Sequence, residues 1–125
     1  MLGKGSVVAL RGPLGAGKTC FVKGIARGLV IDEEVTSPTY TIITEYEGIL
    51  PNQEHVPVYH IDAYRLAGDD DFSNLGGEDV IFGEGISIIE WSEKIPGFIP
   101  EQAITVDIEL QKDGKRLIKM YRGNL

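Results

Sequence analysis

The chain has 125 residues, 42% hydrophobic and 25% charged, with 19 acidic against 12 basic side chains and a net charge of −7. That length suits one compact domain with a real core, and the acidic surplus argues against a broad nucleic-acid surface, so any nucleic acid is expected to be handled through a partner. No apolar run is long enough to span a membrane, no small-residue cleavage site follows the apolar N-terminal stretch, and a single Cys20 excludes an internal disulfide or a cysteine-based zinc cluster. No signal peptide and a reducing, cytoplasmic setting are therefore expected.

In chain order, Ser6 to Leu10 is a short apolar run between Gly5 and Gly12 and predicts a buried strand. A helix is expected from Gly17-Lys18, because Phe21, Val22, Ile25, Ala26 and Leu29 recur at spacings of three and four, with Gly28 at its end. Ser37-Pro38 interrupts the next segment. Tyr40 to Tyr46, rich in Thr, Ile and Tyr, predicts a strand, and Gly48 to Pro57 a connection. Val58 to Asp62 predicts a second strand of this region. Gly68 to Gly77, with three consecutive aspartates, predicts an exposed, mobile loop, and Gly76 to Gly83 a short helix. Ile86 to Trp91 predicts another buried strand. Residues 103–110 and 116–122 flank Asp113-Gly114, a hairpin signal. Strand, Gly-rich turn, helix and further strands make an α/β domain, with a mostly parallel core and antiparallel additions.

The Gly-rich turn carries chemistry. Gly12-Pro13-Leu14-Gly15-Ala16-Gly17-Lys18-Thr19 matches G-x-x-x-x-G-K-T in full. Glycines let successive amide N–H groups turn inward around an anion, and the start of the following helix adds unpaired donors and a favourable dipole. Lys18 can reach the β- and γ-phosphates of a nucleotide, and the Thr19 hydroxyl can ligate magnesium. The bland reading is a Gly-rich helix cap with a solvated lysine. The motif does not choose the base, and no Asn-Lys-x-Asp segment of the GTPase kind is present.

Ligands in parallel α/β sheets bind beyond the carboxyl ends of the strands. Asp62 ends the VYHID run, which suits contact with magnesium, although a strand-end aspartate also makes turns and caps. His60, two residues earlier, faces the same side and reads as a packed, hydrogen-bonded histidine rather than a catalytic one. Glu90 ends the Ile86–Ile89 run, where a carboxylate can orient or deprotonate water, or organise magnesium. Trp91 is a core aromatic, or it stacks on a partner or shields the site. Thr36 to Thr39 stands where a hydroxyl can sense a γ-phosphate, and equally reads as a Ser-Pro turn. Arg65 can pair with phosphate or with Asp69 to Asp71, and Arg11 reads as surface.

Taken together, GPLGAGKT at Gly12–Thr19, SPTYT at Ser37–Thr41, YHIDAYRL at Tyr59–Leu66 and IIEW at Ile88–Trp91 resemble the TsaE family of bacterial tRNA threonylcarbamoyladenosine biosynthesis, over roughly residues 6–110. The resemblance implies a P-loop NTPase-like α/β domain, with helices on both faces of the sheet, that binds ATP and Mg2+. It implies a weak ATPase that acts on a TsaB–TsaD complex during formation of tRNA N6-threonylcarbamoyladenosine (t6A37), with tRNA contacted mainly through that complex, and a monomer or weak dimer alone. By motif match, Gly12, Leu14, Gly15, Ala16, Gly17, Lys18, Thr19, Cys20 and Thr39 surround the nucleotide. Thr19, Asp62 and Glu90 serve the metal, and Lys18, Asp62 and Glu90 the chemistry.

Three features depart from the family pattern. Its members carry a longer stretch, with a helix, before the first strand, so residues 1–125 are expected to form one domain short of that helix and to expose apolar surface. Cys20 stands where a second threonine is common, and the segment after YRL is unusually rich in glycine and aspartate. Two other classes compete with this reading. A small metabolite or nucleotide kinase would need an acceptor region and an arginine-bearing lid, which Arg65 and the acidic stretch supply poorly. A nucleotide-dependent binding module would leave Glu90 structural.

Overall fold

The computed structural model describes residues 2–13, 18–31 and 42–122, apart from the side chain of Thr19. One six-stranded sheet holds them, with β1 at Val7–Arg11, β2 at Ile43–Ile49, β3 at His55–Asp62, β4 at Ile86–Glu90, β5 at Ile104–Leu110 and β6 at Arg116–Arg122. The strand order is β2-β3-β4-β1-β5-β6. Strand β1 pairs in parallel with β4 and β5, and β3 in parallel with β4, while β2 and β6 add antiparallel edges. The expected parallel core with antiparallel additions is therefore present.

The central strands are apolar on both faces because both are covered. Val7 to Leu10 and all of β4 are buried, as continuous Val/Ile/Leu runs of parallel strands require. Helix α1, Lys18–Gly28, lays Val22 and Ala26, with Leu29 just past its end, over Val8, Leu10, Ile86, Ile88, Val106 and Ile108. On the other face, Val7, Ile61 and Ile89 pack with Ala63, Leu66, Phe72, Ile81, Ile95 and Phe98. This second core is roofed by two short helices, α2 at Asp69–Asn74 and α3 at Gly77–Ile81, and by 3-10 turns at Ser92–Lys94 and Pro96–Phe98.

Two expectations change. The connection expected over Gly48–Pro57 shrinks to residues 50–54, because β2 runs on through Gly48 and β3 starts at His55. Gly48 and Pro57 read as breakers, yet the glycine marks a close approach. A Cβ there would lie 2.9 Å from Val58 Cγ2 and 3.3 Å from Leu29. The Ile49 N–H then donates to the Leu29 carbonyl at 2.7 Å, fastening the end of α1 to the sheet.

The aspartate run expected as exposed loop is instead α2. Asp69, Asp70 and Asp71 fill its first turn, where negative charge complements the helix dipole. Asp71 Oδ2 accepts the Ala67 N–H at 2.8 Å and Asp69 Oδ1 the Gly97 N–H at 3.2 Å. Phe72 is completely buried, with its ring edge-on to Phe98 at 4.7 Å. One aromatic anchor thus turns a hydrophilic segment into part of the core. Phe72→Ala is expected to lower unfolding free energy by about 3 kcal/mol or more, measured from urea midpoints. A segment merely lying on the surface would lose less than about 0.5 kcal/mol.

Candidate nucleotide site

The parallel register brings three strand ends into one row. Glu90 is level with Leu10 on one side and with Asp62 on the other. Glu90 and Asp62 continue the faces of Ile86, Ile88, Val56 and Val58, so both lie on the side of the sheet covered by α1. Gly12 leaves β1 just beyond this row with φ 153, a conformation that side-chain-bearing residues rarely adopt.

Lys18, the first residue of α1, is 5% exposed. Its ammonium donates to the Gly12 carbonyl at 2.5 Å and to the Pro13 carbonyl at 3.0 Å. It also stands 3.9 Å from the centroid of the Trp91 ring, within cation–π range. Burial lowers its pKa, an effect opposed by the negative charges of Glu90, Glu93 and Asp62. The solvated lysine of the bland reading is excluded.

Glu90 is 3% exposed, and its Oε2 lies 2.5 Å from His60 Nε2, with His60 itself 1% exposed. His60 is the packed, hydrogen-bonded residue its position on β3 predicts. Its Nδ1 meets no partner among the described residues. The half-buried Asp62 uses Oδ1 to accept the Tyr64 N–H at 3.0 Å, closing a local turn.

Trp91 adopts φ 59 and ψ 43, the left-handed region, which is strained for a bulky residue. That turn puts its ring between Lys18 and Tyr64, the latter 4.8 Å away centroid to centroid and tilted by 50°. Trp91 is thus half-buried, packing against the second core while its ring faces the Lys18 ammonium. The 3-10 turn that follows supplies residues the sequence did not single out. Ser92 Oγ donates to the Leu10 carbonyl at 3.3 Å, and Glu93 acts electrostatically on both Lys18 and Arg11. Their signal was adjacency to the Glu-Trp pair, visible only once the turn closes.

Arg11 is not the free surface residue expected. It ends β1 level with Asp107 of β5 and grips that carboxylate with Nε to Oδ1 at 2.8 Å and Nη2 to Oδ2 at 3.0 Å. The Tyr121 hydroxyl donates to Asp107 Oδ2 at 2.8 Å and accepts from Arg11 Nη2. No local pattern links positions 11, 107 and 121, because only strand order makes them neighbours.

Of the other expected residues, Cys20 is exposed on α1. Leu14, Gly15, Ala16, Gly17 and Thr39, the Thr36–Pro38 stretch and the Thr19 side chain lie outside the described residues. Arg65 is exposed. Among the described residues no cluster of three or more His, Cys, Asp or Glu could hold a metal by protein ligands alone. Asp62 and Glu90 do fit magnesium of the kind completed by phosphate oxygens and water, which takes one or two carboxylates. The buried, positive Lys18 beside carbonyl and carboxylate oxygens fits a phosphate chain equally well.

Fold and site together define an α/β protein with a P-loop-like sheet whose polar groups gather at the carboxyl ends of parallel strands. The chain belongs to the TsaE family: the family model described as "Threonylcarbamoyl adenosine biosynthesis protein TsaE" matches residues 1–118. It is 46% identical over 118 residues to the tRNA threonylcarbamoyladenosine biosynthesis protein TsaE of Treponema pallidum, covering 94% of this chain and 83% of that protein. It is 41% identical over 115 residues to the same protein of Bacillus subtilis, covering 91% and 68%. The crystal structure of Bacillus subtilis YdiB superposes with a TM-score of 0.76 at 33% identity, covering 99% of this chain and 72% of that one. The family is one of tRNA threonylcarbamoyladenosine biosynthesis. No helix among the described residues is long and apolar enough to cross a membrane.

Two outcomes are expected. His60→Ala removes a buried hydrogen-bond partner of Glu90 and should lower stability by about 1–3 kcal/mol, whereas His60→Gln, which keeps a donor, should lose less. Unfolding titrations compare them. Second, hydrogen bonding to Arg11 holds Asp107 below the ordinary carboxylate range, with Tyr121 contributing. A depressed folded pKa stabilises fully above the unfolded value of about 4, and that contribution disappears as pH falls through the lower folded value. The thermal midpoint of Asp107→Asn should therefore fall less than the parent's between about pH 6 and pH 3.

Proposed function

We propose that this chain binds ATP with Mg2+, hydrolyses it slowly, and works in the cytoplasm as a subunit of tRNA t6A37 modification that acts on TsaB and TsaD homologues. The single observation that carries the reading is the buried Lys18 of the G-x-x-x-x-G-K-T motif, whose ammonium binds the Gly12 carbonyl within electrostatic reach of two strand-end carboxylates. A buried lysine is costly to keep charged unless anionic or polar groups surround it. A phosphate chain is the ligand whose charge and reach match that environment.

In this reading Lys18 binds the β- and γ-phosphates, with the glycine-rich loop supplying N–H donors. Thr19 and Asp62 hold magnesium, with Glu90 at its margin, and the ion would screen the phosphate charge. Glu90 orients the attacking water and takes its proton. Trp91 and Tyr64 keep bulk water from Lys18. The contact of Glu90 Oε2 with His60 supports slow turnover by the chain alone, since that oxygen is already engaged when water arrives. Membership of the TsaE family supports the tRNA-modifying role.

The test is ATP hydrolysis by the purified chain, alone and with TsaB and TsaD from one source, beside Glu90→Gln. Turnover should be slow alone and change on adding the pair. Glu90→Gln should keep ATP affinity and lose about a hundredfold in kcat. Robust turnover without partners, phosphate transfer to a small acceptor, or unchanged hydrolysis by Glu90→Gln would contradict the proposal.

A further inference from the structure

The phosphate loop starts at Gly12, so the position of the end of β1 determines where the loop begins. Two side chains far away in sequence hold that end. Asp107 and Tyr121 close a ring of hydrogen bonds with Arg11, two of them the parallel fork of a guanidinium on a carboxylate. Arg11 and Asp107 are each only 25% exposed, so this pair is better shielded than an ordinary surface ion pair. Arg11 alternates with Leu10 and so faces away from α1 and Lys18. It bears on the site through the backbone of the next residue, Gly12, whose carbonyl accepts the Lys18 ammonium.

The same strand end is held on its other side. Ser92 Oγ donates to the Leu10 carbonyl, and Glu93, in the same turn, lies close enough to act on both Arg11 and Lys18. The last residues of β1 are thus clamped between the β4 side and the hairpin of β5 and β6. Strand β6 is the sheet's edge and nearly all its residues are exposed, whereas Tyr121 is half-buried and turned into this ring.

We propose that Asp107 and Tyr121 are positioning residues for nucleotide binding: acting through Arg11, they fix the point from which the phosphate loop departs. This rests on the ATP-binding reading above. The hairpin is then part of the nucleotide site without touching the nucleotide. Loosening it displaces the Gly12 carbonyl and the Lys18 ammonium together, and weakens phosphate capture while leaving Glu90 in place.

The experiment uses Tyr121→Phe, Asp107→Asn and Asp107→Glu, with Lys18→Ala as the control for ATP binding. Three quantities are read: the Kd and kcat for ATP with Mg2+, the thermal midpoint, and hydrogen exchange across residues 10–18. Tyr121→Phe and Asp107→Asn should raise Kd about tenfold, hold kcat within about twofold, and speed exchange over 10–18 but not over β4. Asp107→Glu, which retains a carboxylate, should recover part of the affinity. Unchanged Kd with a lower thermal midpoint would show a purely structural ring and overturn the inference, as would kcat falling with Kd unmoved. If the parent binds ATP no better than Lys18→Ala, the ATP-binding reading fails by itself. Exchange over 10–18 then decides the positioning: faster exchange in the variants upholds it, and unchanged exchange overturns it.

Discussion

The buried ammonium of Lys18 is the constraint on which the site depends. Lys18 is 5% exposed as a residue, and its amine keeps its charge only if polar groups replace the water it has lost. Here the Gly12 and Pro13 carbonyls do so at contact distance, Trp91 offers the negative face of its ring, and Glu90, Glu93 and Asp62 supply the longer-range field. The partners come from three places: the end of β1, the end of β4 with the turn that follows it, and the end of β3. The charge of one side chain is thus satisfied only when three strands and α1 are in register.

That register follows from the two cores. Parallel strands covered on both faces must alternate apolar residues to either side, and the polar residues appear where the covering stops. Val56, Val58, Ile86 and Ile88 lead directly to His60, Asp62 and Glu90 on the face of α1. The pairing of His60 with Glu90 is a buried polar contact of that face, and it holds the carboxylate in the row. On the opposite face Phe72 and Phe98 seat α2 and the turns after β4, which carry Trp91, Ser92 and Glu93 into place. Packing on one face therefore sets the geometry of charge on the other.

Much of this was legible in the sequence. The buried strands, the strand-end carboxylates and the Asp-Gly hairpin all rest on local pattern, and local pattern survives folding. Family resemblance rested on four short motifs, and family membership bears it out. What stayed hidden was non-local or depended on a single anchor. Phe72 made a helix of an aspartate-rich segment, and Gly48 continued a strand because Leu29 and Val58 crowd it. Arg11 was read as surface because Asp107 and Tyr121 lie about a hundred residues on, brought beside it only by the order of the strands.

Trp91 offers the most direct measurement, being the only tryptophan in the chain and lying under the Lys18 ammonium. Its emission can be followed while ATP with Mg2+ is added to the parent and to Lys18→Ala. If Lys18 is the phosphate ligand, drawing it toward the nucleotide changes the parent's emission saturably, and Lys18→Ala shows no saturable change over the same range. Equal responses from both proteins, or none from the parent at millimolar ATP, would contradict the account.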